Sequence, residues 1–199
     1  MPSAWPAAVR FVVSGTTPRE QKMIRYGRFL TLDLATSKAG EIQVDEETVR
    51  GFLGGGGVGA KLFMDLGDDD ALVIANGLLT GFPVTTACKT SFLFRSPLTG
   101  VFGESSVGGK WGAQLARAGV DGLILTGRSP RPVTVFVHDG RAELLDAEAL
   151  WGLDTFAAHD ALLEALPAGS RVGVIGPAGE HRVRFASVMF EGEFPRAAG

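Results

Sequence analysis

Residues 51–62 read GFLGGGGVGAKL, four consecutive glycines with Lys61 close behind. Glycine-rich loops that run into helices hold phosphates, because glycine lets an anion approach free backbone N–H groups. Two nucleotide chemistries are open to such a stretch. A phosphate loop needs its lysine directly after the last glycine, then Ser or Thr for magnesium. Here Gly59 is followed by Ala60, Lys61 and Leu62, so the lysine is one place late and the hydroxyl is missing. The dinucleotide fingerprint is met literally by Gly54, Gly56 and Gly59. That fingerprint must follow a strand, whereas EETVRGFL before it sets Val49, Phe52 and Leu53 on one face of a helix. The following strand, ALVIANG, ends in Asn76 rather than an acid. The stretch therefore reads as a helix–helix junction, in which glycine ends one helix and lets the next begin close by.

A second pair, Gly108 and Gly109, stands before a helix that begins at Lys110. A helix start offers unpaired N–H groups and the positive end of the dipole. Taken alone, the pair reads as a turn. Cys88 is the only cysteine, which excludes a disulfide framework and a self-contained thiolate cluster. It reads as a small buried hydrophobe. His138, His159 and His181 share no ligand spacing and read as structural or solvated. Glu104 is a candidate acid whose simpler reading is a surface carboxylate. No catalytic residue is assigned.

The elements that must carry these residues are strand-rich. Hydrophobic residues make up 45% of the 199 and charged residues 21%, a core-forming balance. A formal net charge of −3 without a run of Lys and Arg argues against nucleic acid as a partner. No stretch has the apolar length of a membrane span, and the first residues lack the order of a signal peptide. A lone cysteine suits a reducing compartment, hence cytoplasm. Residues 1–22 carry Pro, Ser and Thr without a period and are expected to be a poorly ordered extension, with Met23 as an alternative start. Residues 23–199 then form one domain. RFLTLDL and EIQVDE pair as a hairpin, and PVTVFVHDGRAELLD is another, turning at Asp139-Gly140. ALVIANG, KTSFLFRS, DGLILTG, RVGVIGPAG and HRVRFASVMF are further strands. GGKWGAQLARAG and DTFAAHDALLEAL are helices, the latter capped by Asp154. Hairpins imply antiparallel pairing, so the expected class is α+β.

Several segments are more specific together than the glycines are alone. They are GLLTG (77–81), RSPLTG (95–100), VGGKWGAQLARAGVDGLILTGRS (107–129), LWGLDT (150–155), GPAGE (176–180) and RAAG (196–199). With LGGGGVGAKL, their order and spacing resemble the N-terminal domain of the aldehyde ferredoxin oxidoreductase family, from about Tyr26 to Gly199. The resemblance implies strands folded into two sheets as a base for a tungsten, or molybdenum, bis-pyranopterin cofactor. It implies a [4Fe–4S] cluster and a substrate cavity in later, mainly helical domains. It implies ferredoxin as electron acceptor, and it is compatible with a homo-oligomer. The chain is then expected to be a fragment of a longer enzyme, or a separately encoded subunit.

Residue by residue, the resemblance assigns pterin contacts to Gly108 and Gly109, and basic contacts to Arg196 and to Lys89, which stands where the family often has Arg. Lys keeps the charge and loses the planar fork. Ser106, where the family commonly has Asn, and Ala197 would offer backbone carbonyls to a magnesium ion bridging the pterin phosphates. Gly199 completes the cofactor-binding set. The implied reaction is oxidation of an aldehyde to its acid, with this chain alone inactive. A rival reading is a scaffold that has lost the cofactor, supported by Lys89, by Leu78 in GLLTG and by the stop after RAAG. A third is a nucleotide-binding module resting on residues 54–59.

Overall fold

The computed structural model describes residues 9–15, 26–192 and 196–199. In order, the elements are β1 (Val9–Ser14), β2 (Arg28–Asp33), β3 (Lys38–Gln43), α1 (Glu46–Phe52), α2 (Gly55–Leu66), β4 (Leu72–Asn76), β5 (Thr90–Arg95) and β6 (Phe102–Val107). Then come α3 (Trp111–Arg117), β7 (Gly122–Thr126), β8 (Val133–His138), β9 (Arg141–Asp146), α4 (Thr155–Ala165), β10 (Arg171–Val174), α5 (Pro177–Glu180), β11 (Val188–Phe190) and β12 (Arg196–Ala198). A 3-10 turn spans Glu148–Leu150.

The strands form two six-stranded sheets. Sheet I has the order β12-β11-β10-β1-β8-β9 and sheet II the order β3-β2-β7-β4-β5-β6. Pairing is antiparallel except for β1 with β8 and β2 with β7. The class is α+β, as the hairpins predict. Phe11, Val135 and Phe190 of sheet I and Leu32, Ile74, Phe92 and Leu123 of sheet II share one buried cluster, which also takes in Trp111 and Leu115 of α3. The outer face of sheet II buries Phe29, Val73 and Leu93 against Val58 and Phe63 of α2. The outer face of sheet I buries Val12 and Val172 against Ala158 and Leu162 of α4. The β4 segment LVIAN is apolar on both faces because it is covered on both.

The glycine stretch is a helix junction. α1 closes on Leu53 in the left-handed conformation, and Gly54, at φ 79°, opens α2 one residue later. A Cβ on Gly59 would stand 2.5 Å from Leu93 Cδ1 and 3.2 Å from Ala75, so this glycine lets α2 lie close on sheet II. Lys61 is ion-paired with Asp65 one turn along the same helix. Since α1 precedes the fingerprint, the strand that a dinucleotide turn requires is absent at that place.

Three expectations are corrected, and two strands, β6 and β12, are added. Residues 9–14, read within a poorly ordered extension, form β1, buried at all six positions in the middle of sheet I. VRFVVS is a run of β-branched and aromatic residues, a strand signal whose flanks carry Pro, Ser and Thr; the rest of 1–22, apart from Gly15, lies outside the described residues. β6 has a polar, exposed outer face, and β12 has three residues, so neither carries an apolar pattern. The strand expected over RVGVIGPAG ends at Val174, and residues 177–180 form α5 with Pro177 at its first turn. The strand read over 181–190 shrinks to Val188–Phe190.

Candidate functional site

β6 is one edge of sheet II, opposite β3, and β12 one edge of sheet I, opposite β9. An edge strand leaves some of its backbone N–H and C=O groups free of the ladder. Here the two edges meet: the Gly199 N–H donates to Ser105 Oγ at 2.9 Å. β6 therefore delivers Ser106 beside Arg196, Ala197 and Gly199, which are 90 or more residues away in the chain. Ser106, Arg196, Ala197 and Gly199 are exposed, and Gly108 and Gly109 are half-buried.

After β6 the chain turns through Gly108 and Gly109 into α3. Gly109 has φ 99°; a Cβ there would lie 2.6 Å from Glu191 Oε1 and 3.1 Å from Arg196 Cδ. Gly108 faces the other way, its Cβ position 3.6 Å from Cys88 Sγ. The start of α3 is anchored from below. Trp111 is fully buried, with its ring centroid 5.4 Å from that of Phe190. Asn76 Nδ2 donates to the Gly112 carbonyl at 2.9 Å, and Thr90 Oγ1 donates to Asn76 Oδ1 at 2.7 Å. Asn76 and Thr90 are both buried, so this network is shielded from water.

The electrostatic centre of the site is Glu191. Its Oε1 accepts from the Lys110 N–H, and its Oε2 stands 4.0 Å from Arg196 Nε. The carboxylate thus stands between the N–H of Lys110, the residue before α3, and the Arg196 guanidinium, donors of the kind that a phosphate uses. Glu191 itself has φ 59°, the left-handed region. The next residue is tied down by a histidine: the Gly192 N–H donates to His159 Nε2 at 3.1 Å. That bond requires the tautomer with its proton on Nδ1, which lies 3.2 Å from Asp160 Oδ1.

Lys89 is exposed beside Cys88, and its backbone carbonyl accepts from Thr80 Oγ1 at 2.8 Å and from the Gly77 N–H at 3.0 Å. The structure thus brings Ser106, Gly108, Gly109, Arg196, Ala197 and Gly199 into one patch, with Lys89 at its Cys88 side. Glu104 lies on the same exposed face of β6 as Ser106, its carboxylate leaning over Gly56. His138 stacks on Phe136 and bonds Glu143, and His181 ends α5. Sequence reasoning gave no role to Glu191, Asn76 or Thr80, and it read His159 as structural or solvated, of which the structure shows the structural role. Nothing in their spacing marks them: Glu191 and Asn76 act through Lys110 and Gly112, far along the chain, and Thr80 through a backbone carbonyl, that of Lys89. Among the described residues no group of three His, Cys, Asp or Glu could hold a metal ion. A cavity of about 620 Å³ opens between the sheets, lined largely by apolar residues such as Phe11, Phe92 and Ile175. Of the patch it touches Gly199 alone, so the polar chemistry lies on the rim and not in the cavity.

The sequence signature described as "Aldehyde ferredoxin oxidoreductase, N-terminal domain" matches residues 29–199. The chain is 33% identical over 183 residues to the tungsten-containing aldehyde ferredoxin oxidoreductase of Thermococcus kodakarensis, covering 87% of this chain and 30% of that protein. It is 31% identical over 187 residues to the aliphatic sulfonate oxidoreductase, WOR-like subunit, of Pyrococcus furiosus, covering 82% of this chain and 30% of that one. A solved structure of the active site complex BamBC of benzoyl coenzyme A reductase with 1,5-dienoyl-CoA superposes with a TM-score of 0.81 at 30% identity, over 86% of this chain and 27% of that chain. The chain thus spans less than a third of the length of these relatives. With the two-sheet fold and the collinear motifs, these matches show that the chain belongs to the aldehyde ferredoxin oxidoreductase family, as its N-terminal domain.

Proposed function

We propose that this domain is the base on which a tungsten- or molybdenum-pterin cofactor sits, within a cytoplasmic oxidoreductase. The observation that carries the reading is the carboxylate of Glu191, held between the Lys110 N–H and Arg196. Its Oε1 occupies the space that the missing Gly109 side chain leaves, which supports room for an anion there. Gly108 and Gly109 would admit the pterin, Arg196 and Lys89 would neutralise its phosphates, and Gly199 would line the same edge. The carbonyls of Ser106 and Ala197, on the two meeting sheet edges, would serve a magnesium ion, which prefers oxygen ligands. When bound, the metal-pterin supplies the redox chemistry; the protein places and electrostatically tunes it. Oxidation of an aldehyde to its acid, with electrons passing through a [4Fe–4S] cluster to ferredoxin, belongs to the longer enzyme. The cluster's ligands lie outside this chain, whose only cysteine is Cys88. This domain alone is expected to be inactive.

The same carboxylate also favours a second reading. If Glu191 permanently fills the anion position, the domain is a scaffold without cofactor. Co-expression with the remaining domains, followed by elemental analysis and pterin fluorescence, separates the two. Stoichiometric tungsten or molybdenum, lost in Arg196→Ala, supports the cofactor base. A folded assembly with neither metal nor pterin would establish the scaffold.

A further inference from the structure

Five strands of sheet I fall within the family match at residues 29–199, and β1 does not. Yet β1 lies in the middle of that sheet. It runs parallel to β8 from Val9↔Val133 to Ser14↔His138, and antiparallel to β10 from Phe11↔Gly173 to Val13↔Arg171. In the hydrogen-bonded ladder, β1 is what joins β8 and β9 to β10, β11 and β12. The strand that carries Arg196 and Ala197 therefore reaches the rest of its sheet through a segment that the family match leaves out.

The side chains of β1 specify its register. Val9, Phe11 and Val13 enter the core between the sheets, where Phe11 meets Trp111 edge-on at 6.3 Å. On the opposite face Val12 packs with Ala158 and Leu162 of α4. Arg10, also on that face, is fully buried and donates to Glu180 Oε1 at 2.6 Å and to the Leu150 carbonyl at 2.9 Å. The other oxygen of Glu180 accepts from the Gly152 N–H at 2.9 Å. A slip of one residue would turn Arg10 into the apolar core, and a slip of two would carry it about 7 Å from Glu180. Just past the strand, the Gly15 carbonyl accepts from Gln114 Nε2 of α3 at 2.8 Å, and a Cβ on Gly15 would lie 2.6 Å from Ala118 N.

We propose that residues 9–15 are a donor strand. They fill a strand-shaped slot between β8 and β10, and hold the β10–β12 half of the candidate site to the rest of the domain. The slot's partner is an extended peptide with the pattern apolar, Arg, aromatic, apolar, apolar, Ser, Gly. Sheet hydrogen bonds supply its affinity, while Trp111 and Glu180 read its register. The slot accepts that peptide in trans as it does in cis. This inference rests on the sheet alone and stands whether or not Arg196 and Ala197 meet a pterin.

The test uses the full chain with a protease recognition sequence inserted within residues 16–25. After cleavage the N-terminal peptide is expected to stay bound through gel filtration. A labelled peptide of residues 8–16 should exchange into its place, and the same peptide carrying Arg10→Glu should compete about 100-fold less well. Release of the native peptide from a domain that keeps its melting temperature would overturn the proposal. Hydrogen exchange on the uncut chain decides independently of how the cut form behaves. Slow exchange in residues 10–14, matching β8 and β10, supports the donor strand; exchange at the rate of an unpaired peptide refutes it.

Discussion

Gly109 sits at φ 99° with Glu191 and Arg196 on the side where a Cβ would project. Substitution to Ala meets two separate costs, left-handed strain of about 1–2 kcal/mol and displacement of the Glu191 carboxylate. Gly109→Ala is therefore expected to lower the melting temperature modestly and to prevent metal loading of the assembled enzyme. Adding Glu191→Ala removes the clash and leaves the strain, so the double variant should regain part of the stability. Thermal melts of the two variants, read beside elemental analysis, check this. If Gly109→Ala loads metal as the parent does, Gly109 is only a turn. Glu191 and His159 illustrate why single residues were hard to judge in sequence. An isolated acid or histidine reads as surface, and only the fold shows that one carboxylate bridges an N–H and a guanidinium, and that one imidazole fixes the next residue.

At the scale of elements, a cap and a turn contribute to the acid limb of stability. Asp45 opens α1 by accepting from the Thr48 N–H at 2.8 Å, with Thr48 Oγ1 as a second donor. These bonds hold its carboxyl below the ordinary value of 3.8. Asp33, in the β2–β3 turn, is lowered in the same way by the Ala35 and Thr36 N–H groups. Because the folded values lie below the unfolded ones, both contributions are complete above pH 3.8 and are lost as pH falls through the lower folded values. Asp45→Asn keeps a capping oxygen and abolishes the titration. The melting temperature of Asp45→Asn should therefore fall less steeply below pH 4 than that of the parent chain. Equal slopes would remove the cap from the account. α3 shows the same dependence on local chemistry: its short apolar face is set by Trp111, while the buried Asn76–Thr90 pair fixes where it begins.

At the scale of the whole molecule, two sheets share one core and an edge of each builds the candidate site. The buried pair of Arg10 and Glu180 ties the centre of sheet I to α5, each side chain fully enclosed. Burial lowers the arginine pKa, and hydrogen bonding and attraction to Glu180 oppose that shift. Removing one partner leaves an unpaired buried charge, a loss of about 3–5 kcal/mol. Replacing both by apolar residues of similar size avoids that cost. Arg10→Met alone should thus be severely destabilised in urea, and Arg10→Met with Glu180→Leu should recover most of the loss. A double variant no more stable than the single one would show that the pair gives the strand more than charge balance.

The sequence by itself determined the class, the strand-and-helix order of the central region and the membership of the family. Those rest on local periodicity, turn residues and collinear motifs, which a linear chain records. It also excluded the phosphate-loop reading of residues 51–62, because the spacing of Lys61 is a local fact. What the tertiary structure decided is where distant segments meet. β6 and β12 lack an apolar rhythm because they are sheet edges with exposed faces, so no pattern announced them. β1 carries a strand pattern, but its place between β8 and β10 depends on partners more than 100 residues away. The candidate site lies at the junction of two edges, and the meeting of edges is a property of packing that no single stretch of the chain contains.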